Sequence, residues 1–179
     1  MRISHRELSV NDSSLRFVFG GWDGKKCLND LYEFSFTSKI WYNVSLSCVG
    51  EVPSPRYRLD ACSISNRLYI FGGVDNQQKK YNTLYEFNHH TKQWNNVPVY
   101  GSVPSARSFL KLIEVGENIV LFGGVDDKKK NDIYTLELSV SAVVQSSRKS
   151  EPSFSLPFDR SMIDAKSVDK YAPVADMLS

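Results

Sequence analysis

Few side chains in this 179-residue sequence have the types and spacing that nucleophilic, acid–base or metal chemistry requires. The three histidines are His5, His89 and His90. The last two lie in a predicted turn. On extended chain adjacent rings would point apart, and no third ligand stands near these two in the sequence. No Ser-His-Asp set or carboxylate pair has a catalytic spacing. The sequence therefore predicts no enzyme activity, no metal site and no cofactor.

Composition argues against several other classes of function. The net charge of +2 creates no chain-wide field for nucleic acid, and no apolar run approaches the ~18 residues of a membrane span. The cysteines, Cys27, Cys48 and Cys62, are odd in number and irregularly spaced, which suits a reducing compartment. Residues 1–7 contain no apolar signal segment. We therefore expect a cytoplasmic protein.

Lysines are concentrated in three short segments, each of which also contains an aspartate. The segments span residues 22–26, 74–80 and 125–130. Their seven lysines are Lys25, Lys26, Lys79, Lys80, Lys128, Lys129 and Lys130. One interpretation is solvated turns, in which Asp and Gly supply turn chemistry and Lys supplies solubility. The other is a basic face that attracts an acidic partner, because the segments are about 50 residues apart and a repeat would bring them together.

An apolar run that ends in two glycines occurs three times and gives the chain its period. The pairs are Gly20-Gly21, Gly72-Gly73 and Gly123-Gly124, whose first members are 52 and 51 residues apart. A fixed period of this size indicates a repeat architecture. In each run aromatic and β-branched residues predict a strand, and the glycines predict a bend or the close approach of another backbone.

Other landmarks keep a constant order around the glycine pairs. They are Tyr32, Tyr85 and Tyr134, then Trp41 and Trp94, then Arg56 and Arg107. Each Trp follows its Tyr by 9 residues, and each Arg precedes the next glycine pair by 16 residues. Both arginines stand in a Pro-x-x-Arg sequence. Their recurrence favours a structural role, although contact with an acidic partner is the alternative.

The repeat predicts a four-stranded sheet. In its middle copy we expect strands over 58–65, 67–71, 83–87 and 93–97, with a turn at 88–91. The glycine pair is expected to end the second strand. Such a small sheet is stable only when it stacks on others. The repeated Tyr and Trp rings are expected between neighbouring sheets, with Trp94 between the second and third.

The apolar run with Gly-Gly, the spaced Tyr and Trp, and Trp-x-x-Val followed by Pro-x-x-Arg resemble the Kelch repeat, a β-propeller blade. The order is similar to the subgroup of leucine-zipper-like transcriptional regulators and Rab-effector Kelch proteins. The resemblance covers about residues 15–138. It implies an all-β fold, an incomplete β-propeller of three four-stranded blades.

The repeat also divides the chain. Residues 1–45 form blade one, without the Pro-x-x-Arg landmark before its first strand; 46–97 form blade two; 98–146 form a degenerate blade three. In blade three Val143 replaces the Trp, and 140–146 are a weak candidate for the fourth strand. Residues 147–179 are rich in Ser and Pro and are expected to be a flexible linker or disordered tail.

The resemblance implies a non-catalytic protein-interaction module. Kelch relatives serve as substrate adaptors of ubiquitin ligases or as scaffolds for small-GTPase or cytoskeletal partners, and some place a BTB domain after the propeller. The alternative is a remnant of a Kelch-like propeller oxidase, whose copper site needs His and Tyr ligands beside a Tyr-Cys crosslink. Metal content of the purified protein separates the two.

The partner-binding face is expected to hold the seven lysines and aromatic anchors. The anchors proposed are Trp22, Tyr57 and Tyr100, because their positions do not recur in the repeat and Tyr and Trp are favoured at hot spots. The partner is expected to be another protein with an acidic segment.

The sequence leaves three alternatives for how the propeller is completed. Propellers use 4–8 blades, so three blades expose two apolar faces. The further blades come from a longer chain, of which this is a fragment, or from a second copy of this chain. The third possibility is a marginally stable chain with three blades.

Overall fold

The computed structural model describes residues 14–138 in full and the backbone of residues 6–9 and 153–155. These residues form three sheets. The first sheet is ordered β1 (Arg6–Ser9), β2 (Leu15–Trp22), β3 (Cys27–Ser35), β4 (Ile40–Asn43). A 3-10 turn, Ser45–Ser47, follows it.

The second and third sheets each have five strands. The second is ordered β5 (Val49–Gly50), β9 (Gln93–Val97), β8 (Leu84–Asn88), β7 (Arg67–Val74), β6 (Tyr57–Ile64). The third is ordered β10 (Tyr100–Gly101), β14 (Ser153–Ser155), β13 (Lys129–Glu137), β12 (Asn118–Val125), β11 (Lys111–Val115). Consecutive long strands pair antiparallel through hairpins. The all-β fold with three propeller blades is confirmed.

The first strands of the three sheets lie side by side. Strand β6 contacts β1 on one side and β11 on the other. The sheets are therefore arranged about one axis, with β1, β6 and β11 innermost and β4 and β9 toward the outer edge. This radial order is the one expected of propeller blades.

One apolar cluster joins the first and second sheets. Phe17, Phe19 and Leu31 of the first sheet pack against residues of the second that include Ile70 and Trp94. Rings contact across the interface, since Phe19 and Trp94 have centroids 5.1 Å apart and Phe17 and Phe87 have centroids 6.0 Å apart. Buried aromatic pairs of this kind contribute about 0.5–1.5 kcal/mol beyond their area.

A second cluster joins the second and third sheets. Tyr69 and Phe71 face Ile119 and Leu121 across it. The side chains of β7 alternate, so Leu68 and Ile70 serve the first cluster while Tyr69 and Phe71 serve the second. Both faces of the middle sheet are thus covered, and β7 is buried over seven of its eight residues.

The expected location of Trp94 was wrong in one respect. The ring is buried, with 1% of its surface exposed, but it lies between the first and second sheets rather than between the second and third. The reason is the alternation of side chains along β9, which points Trp94 to the side of Phe87 and Phe19. Its counterpart Trp41 is 48% exposed, because no described sheet lies on that side of the first sheet.

The expectation that each glycine pair ends its strand was also wrong. Strands β2, β7 and β12 continue through the pair to Trp22, Val74 and Val125. A register shift occurs at the pair in the first and third sheets. The close approach of another backbone is present, since Gly72 has φ of +73° and a Cβ there would lie 2.6 Å from the carbonyl oxygen of Arg107.

The end of the chain adds one strand. Ser153–Ser155 pairs with β13 and, parallel, with β10, where the sequence predicted a linker. The weak strand expected over 140–146 and the remainder of the predicted tail lie outside the described residues. Within the described residues no helix is long and apolar enough to cross a membrane.

Candidate protein-binding face

The three lysine-containing segments form turns after β2, β7 and β12, and we call them together the loop face (residues 22–26, 74–80 and 125–130). Each turn is held by the aspartate that follows the strand. Asp23 Oδ1 accepts hydrogen bonds from the backbone N–H groups of Lys25 and Lys26, both at 2.8 Å. Asp75 Oδ1 accepts two at 2.9 Å, from Gln77 and Lys79. The aspartates therefore have the turn chemistry of the first interpretation.

Asp126 fixes the third turn in the same way and makes further contacts. It accepts hydrogen bonds from the backbone N–H of Lys128 at 2.9 Å and the hydroxyl of Ser105 at 2.8 Å. Bonds to these donors and to Lys130 hold the pKa of the Asp126 carboxyl well below its usual range. Hydrogen bonds also lower the pKa of Asp23 and Asp75. All three carboxylates are ionised at neutral pH.

Two of the seven lysines are engaged within the loop face. Lys130 Nζ lies 2.9 Å from Asp126 Oδ2, and this contact raises the pKa of Lys130. Lys80 Nζ donates to the backbone oxygen of Asp126 at 2.5 Å and lies 3.9 Å from Asp127 Oδ1. Lys80 thus joins the second loop to the third, and Lys130 balances a carboxylate of its own loop.

The other lysines point to solvent. Lys25, Lys26, Lys79, Lys128 and Lys129 are exposed and form no ion pair with any residue of 14–138. Lys79 Nζ lies 5.5 Å from the ring centroid of Tyr81. Seven lysines against four aspartates give the loop face a net positive charge, and the exposed five present it to an approaching molecule.

Contacts between neighbouring loops make the loop face continuous. The Asn76 side-chain oxygen accepts a hydrogen bond of 2.8 Å from the backbone N–H of Cys27, so the second loop is joined to the first sheet. Lys80 joins the second loop to the third. The repeat period of about 50 residues thus places three separate basic segments on one end of the molecule.

A row of neighbouring aromatic side chains and one arginine crosses the same end, and we call it the ring row (Trp22, Tyr57, Arg58 and Phe109). The rings of Trp22 and Tyr57 have centroids 5.7 Å apart. Arg58 Cζ lies 4.7 Å from the centroid of Tyr57 and 4.5 Å from that of Phe109. The row therefore runs from the end of β2, past the start of β6, to the residues before β11.

Sequence reasoning missed Arg58 and Phe109. Both stand two residues after the repeated arginine, both have φ of +56°, and the N–H of Phe109 donates to the oxygen of Arg58 at 3.0 Å. The sequence did contain a signal, because the equivalent positions hold Arg58 in one repeat and Phe109 in the other. The preceding positions differ in the same way, with Tyr57 in one repeat and Ser108 in the other. Tyr100, a predicted anchor, instead lies in β10 at the outer edge of the third sheet and is not part of the ring row.

The repeated arginines are buried in the framework beneath these loops. Arg56 and Arg107 each have 1% of their surface exposed. Arg56 donates to the backbone oxygen of Gly72 at 3.2 Å, and Arg107 to that of Gly123 at 2.9 Å. Their own backbone oxygens accept from Gly21 and Gly73 of the preceding sheet, both at 3.0 Å. The 16-residue spacing thus reflects a bond within one blade, and the second bond joins that blade to its neighbour.

The repeated tyrosines complete the same framework. Arg56 Cζ lies 5.5 Å from the ring centroid of Tyr85, and Arg107 Cζ lies 5.5 Å from that of Tyr134. Arg107 also pairs with Asp132 at 2.6 Å. Their donors are occupied by framework groups, so these arginines position the loops rather than face a partner.

Two of the predicted histidine candidates, His89 and His90, lie away from the loop face, and His5 lies outside the described residues. His89 and His90 follow β8 at its opposite end, and Asn88 holds their turn by accepting from the N–H of His90 at 3.0 Å. The predicted turn is present, and the two rings, which extended chain would point apart, have centroids 3.8 Å apart. His89 is buried beside Phe17. Among the described residues no group of three His, Cys, Asp or Glu side chains is placed to hold a metal ion.

Comparison with known proteins identifies the family to which this fold belongs. Residues 4–155 match the family described as the KLHDC2/KLHL20/DRC7 Kelch-repeats domain. The chain therefore belongs to the Kelch-repeat family, as the repeat landmarks predicted, and Kelch domains bind other proteins.

Particular relatives are large proteins of diverse description. The chain is 31% identical over 116 residues to the Rho GTPase-activating protein gacHH of Dictyostelium discoideum, covering 62% of this chain and 8% of that one. It is 29% identical over 145 residues to the leucine-zipper-like transcriptional regulator 1 homolog of Drosophila melanogaster, covering 77% and 14%. It is 33% identical over 116 residues to dynein regulatory complex subunit 7 of Chlamydomonas reinhardtii, covering 62% and 10%. The chain thus spans a small part of each relative's length.

Proposed function

We propose that the chain is a non-catalytic module that binds an acidic segment of another protein through the loop face. The observation that carries this proposal is the meeting of exposed lysines and the ring row on one end of the molecule. The ring row is not required by the repeat, because Trp22 stands where the other repeats have Val74 and Val125, whereas a basic segment occurs in all three repeats. Positions that the fold leaves free are the ones available to recognise a partner.

The two parts of the surface have different tasks. Exposed lysines chiefly raise the association rate and favour partners of opposite charge, and salt screens them over about 8 Å at physiological strength. The rings supply area that loses water on contact, and Tyr and Trp are enriched among residues that dominate binding energy. The partner is therefore an acidic segment flanked by apolar residues.

The cellular setting we propose is the cytoplasm. All three cysteines are free thiols, and burial raises the pKa of Cys62 to about 12, so it is unreactive there. By analogy with relatives that include a leucine-zipper-like regulator and a Rho GTPase-activating protein, the module serves as a substrate adaptor of a ubiquitin ligase or as a scaffold in small-GTPase signalling.

The open sides of the first and third sheets bear on assembly. Trp41 and Phe36 are exposed on the first sheet, and Ile113 and Phe122 on the third. We propose that further blades cover them, supplied by a longer chain or by a second copy. Sedimentation of the purified chain over a range of concentrations distinguishes the two, since only a second copy gives a discrete dimer.

The test of the binding proposal is affinity capture from cell extract with two variants of equal charge change. Lys25→Glu/Lys128→Glu alters the loop face by four charges. Thr37→Glu/Lys39→Glu/Thr91→Glu alters the turns at the opposite end of the sheets by the same amount. Capture of partners is expected to fall with the first variant and to persist with the second, provided that both melt like the wild type. Equal capture by all three proteins would place binding elsewhere.

A further inference from the structure

We propose that Arg58 of the ring row, which crosses the same end of the molecule as the loop face, recognises a carboxylate side chain of the partner. This inference rests on the proposed function and deepens it, because it names a specificity-determining residue and the group that it binds. The ligand is a Glu or Asp side chain in an acidic protein segment with an apolar neighbour.

The first argument is the hydrogen-bonding state of Arg58 compared with the other arginines of residues 14–138. Arg16, Arg56, Arg67 and Arg107 each donate a hydrogen bond to a backbone oxygen or a carboxylate. Arg58 donates to no group within those residues and forms no ion pair with them, although it carries five N–H donors. Its donor capacity is available to a ligand.

The second argument is preorganisation. Arg58 Cζ lies over the rings of Tyr57 and Phe109, 4.7 and 4.5 Å from their centroids, so the guanidinium is held between two aromatic side chains. A guanidinium held in this way keeps N–H donors that can meet a carboxylate with two parallel hydrogen bonds. Less side-chain freedom is lost on binding because the rings already restrict the guanidinium.

The third argument is the position of Arg58. It lies at the start of β6, the middle of the three innermost strands, where the ring row crosses the end of the molecule. Phe109 on one side is 59% exposed, and Trp22 lies beyond Tyr57 on the other. A carboxylate on Arg58 would have exposed ring surface beside it, which fits an apolar residue next to the acidic one. The exposed lysines of the loop face would attract the same segment.

The test measures retention of three synthetic peptide pools on the immobilised full chain. Each pool is a randomised ten-residue peptide built from Gly, Ser and Leu together with Glu, Gln or phosphoserine. Wild-type protein is expected to retain the Glu pool about tenfold or more over the Gln pool, the scale of hydrogen bonds to a charged group. Arg58→Lys keeps the charge and the backbone conformation but removes the planar fork, so it is expected to lose most of that preference.

A second variant keeps the test decisive if Arg58→Lys folds poorly. Phe109→Leu leaves the charge of Arg58 but removes one stacking ring, and it is expected to lower the Glu preference as well. Retention of the Glu preference by Arg58→Lys, or by Phe109→Leu if Arg58→Lys does not fold, would overturn the assignment. Stronger retention of the phosphoserine pool than of the Glu pool would overturn the ligand class.

The outcome separates this inference from the proposed function. If wild-type protein shows no Glu preference while Lys25→Glu/Lys128→Glu still loses partners from extract, the role of Arg58 is wrong and the basic face stands. If the peptide preference is absent and capture from extract is unchanged by the lysine variant, both fail.

Discussion

At the scale of single residues, the glycine pair and the arginine of the next blade form one joint. Gly21 and Gly73 donate to the oxygens of Arg56 and Arg107, while Gly20 and Gly72 lie against the same oxygens. A Cβ on Gly20 would lie 2.7 Å from the oxygen of Arg56. The glycines are therefore required both for left-handed backbone and for the contact between sheets.

Gly72→Val tests this joint. Left-handed backbone at a residue with a side chain costs roughly 1–3 kcal/mol, and collision with the oxygen of Arg107 adds overpacking of about 1–3 kcal/mol. Gly116→Val is the matched control, because Gly116 has φ of +63° with nothing within 4 Å of its Cβ position. Denaturant unfolding is expected to show a clearly larger loss for Gly72→Val. Equal losses of unfolding free energy for Gly72→Val and Gly116→Val would contradict the contact between sheets and would leave only backbone strain at Gly72.

The turn aspartates predict how acid affects the loop face. The folded pKa of Asp23, Asp75 and Asp126 is lower than the ordinary value of 3.8, so each ionised carboxylate stabilises the fold above that value. This contribution declines as pH falls below 3.8 through the folded pKa. An NMR titration of the carboxyl carbons is expected to give midpoints below 3.8 for all three. A midpoint for Asp126 at or above 3.8 would contradict its hydrogen bonding.

At the scale of elements, each blade depends on the sheet beside it. Trp94 fills the space between the first and second sheets, whereas Trp41, at the same place in the repeat, remains half exposed. The two residues have the same type and the same position in the repeat. Their difference in burial comes only from the presence or absence of a neighbouring sheet.

Trp94→Ala and Trp41→Ala measure that difference. Removal of a buried aromatic side chain costs about 3–5 kcal/mol, so Trp94→Ala is expected to destabilise the chain by that amount and Trp41→Ala by much less. In Trp22→Phe/Trp41→Phe protein, Trp94 fluorescence is expected to be blue-shifted and protected from acrylamide. Full quenching of Trp94, or similar losses for the two alanine variants, would contradict the packing of the first and second sheets.

The sequence predicts the positions of the strands better than the way in which strands and side chains pack against one another. Periodicity and β-rich runs located the strands of the middle blade within a few residues, because those signals are local. The side of the sheet on which Trp94 packs depends on alternation relative to a neighbour, and continuation of β7 past Gly72 depends on its pairing with β6, in which Val74 lies opposite Tyr57. Arg58 and Phe109 were missed because the ring row joins residues about 50 positions apart.

At the scale of the whole molecule, three blades bring together basic loops and rings that are far apart in the chain. The opposite sides of the first and third sheets leave Trp41 and Phe122 exposed. Phe122 corresponds in the repeat to Phe19, and Trp41 to Trp94, which are in contact where two sheets meet. The open sides thus have the residues of an interface between blades, while the loop face has a basic segment from each blade and a tryptophan, Trp22, from only one of them.

The most direct test of the central claim is site-specific crosslinking in cell extract. Photo-reactive benzoylphenylalanine replaces Trp22 on the loop face or Thr91, which is exposed in the turn after β8 at the opposite end of the molecule. Partner proteins are expected to crosslink from position 22 and not from position 91, and the Glu peptide pool is expected to compete where the Gln pool does not. Crosslinking from position 91 alone, or crosslinking from position 22 that the Glu pool fails to reduce, would contradict recognition of an acidic partner by the loop face.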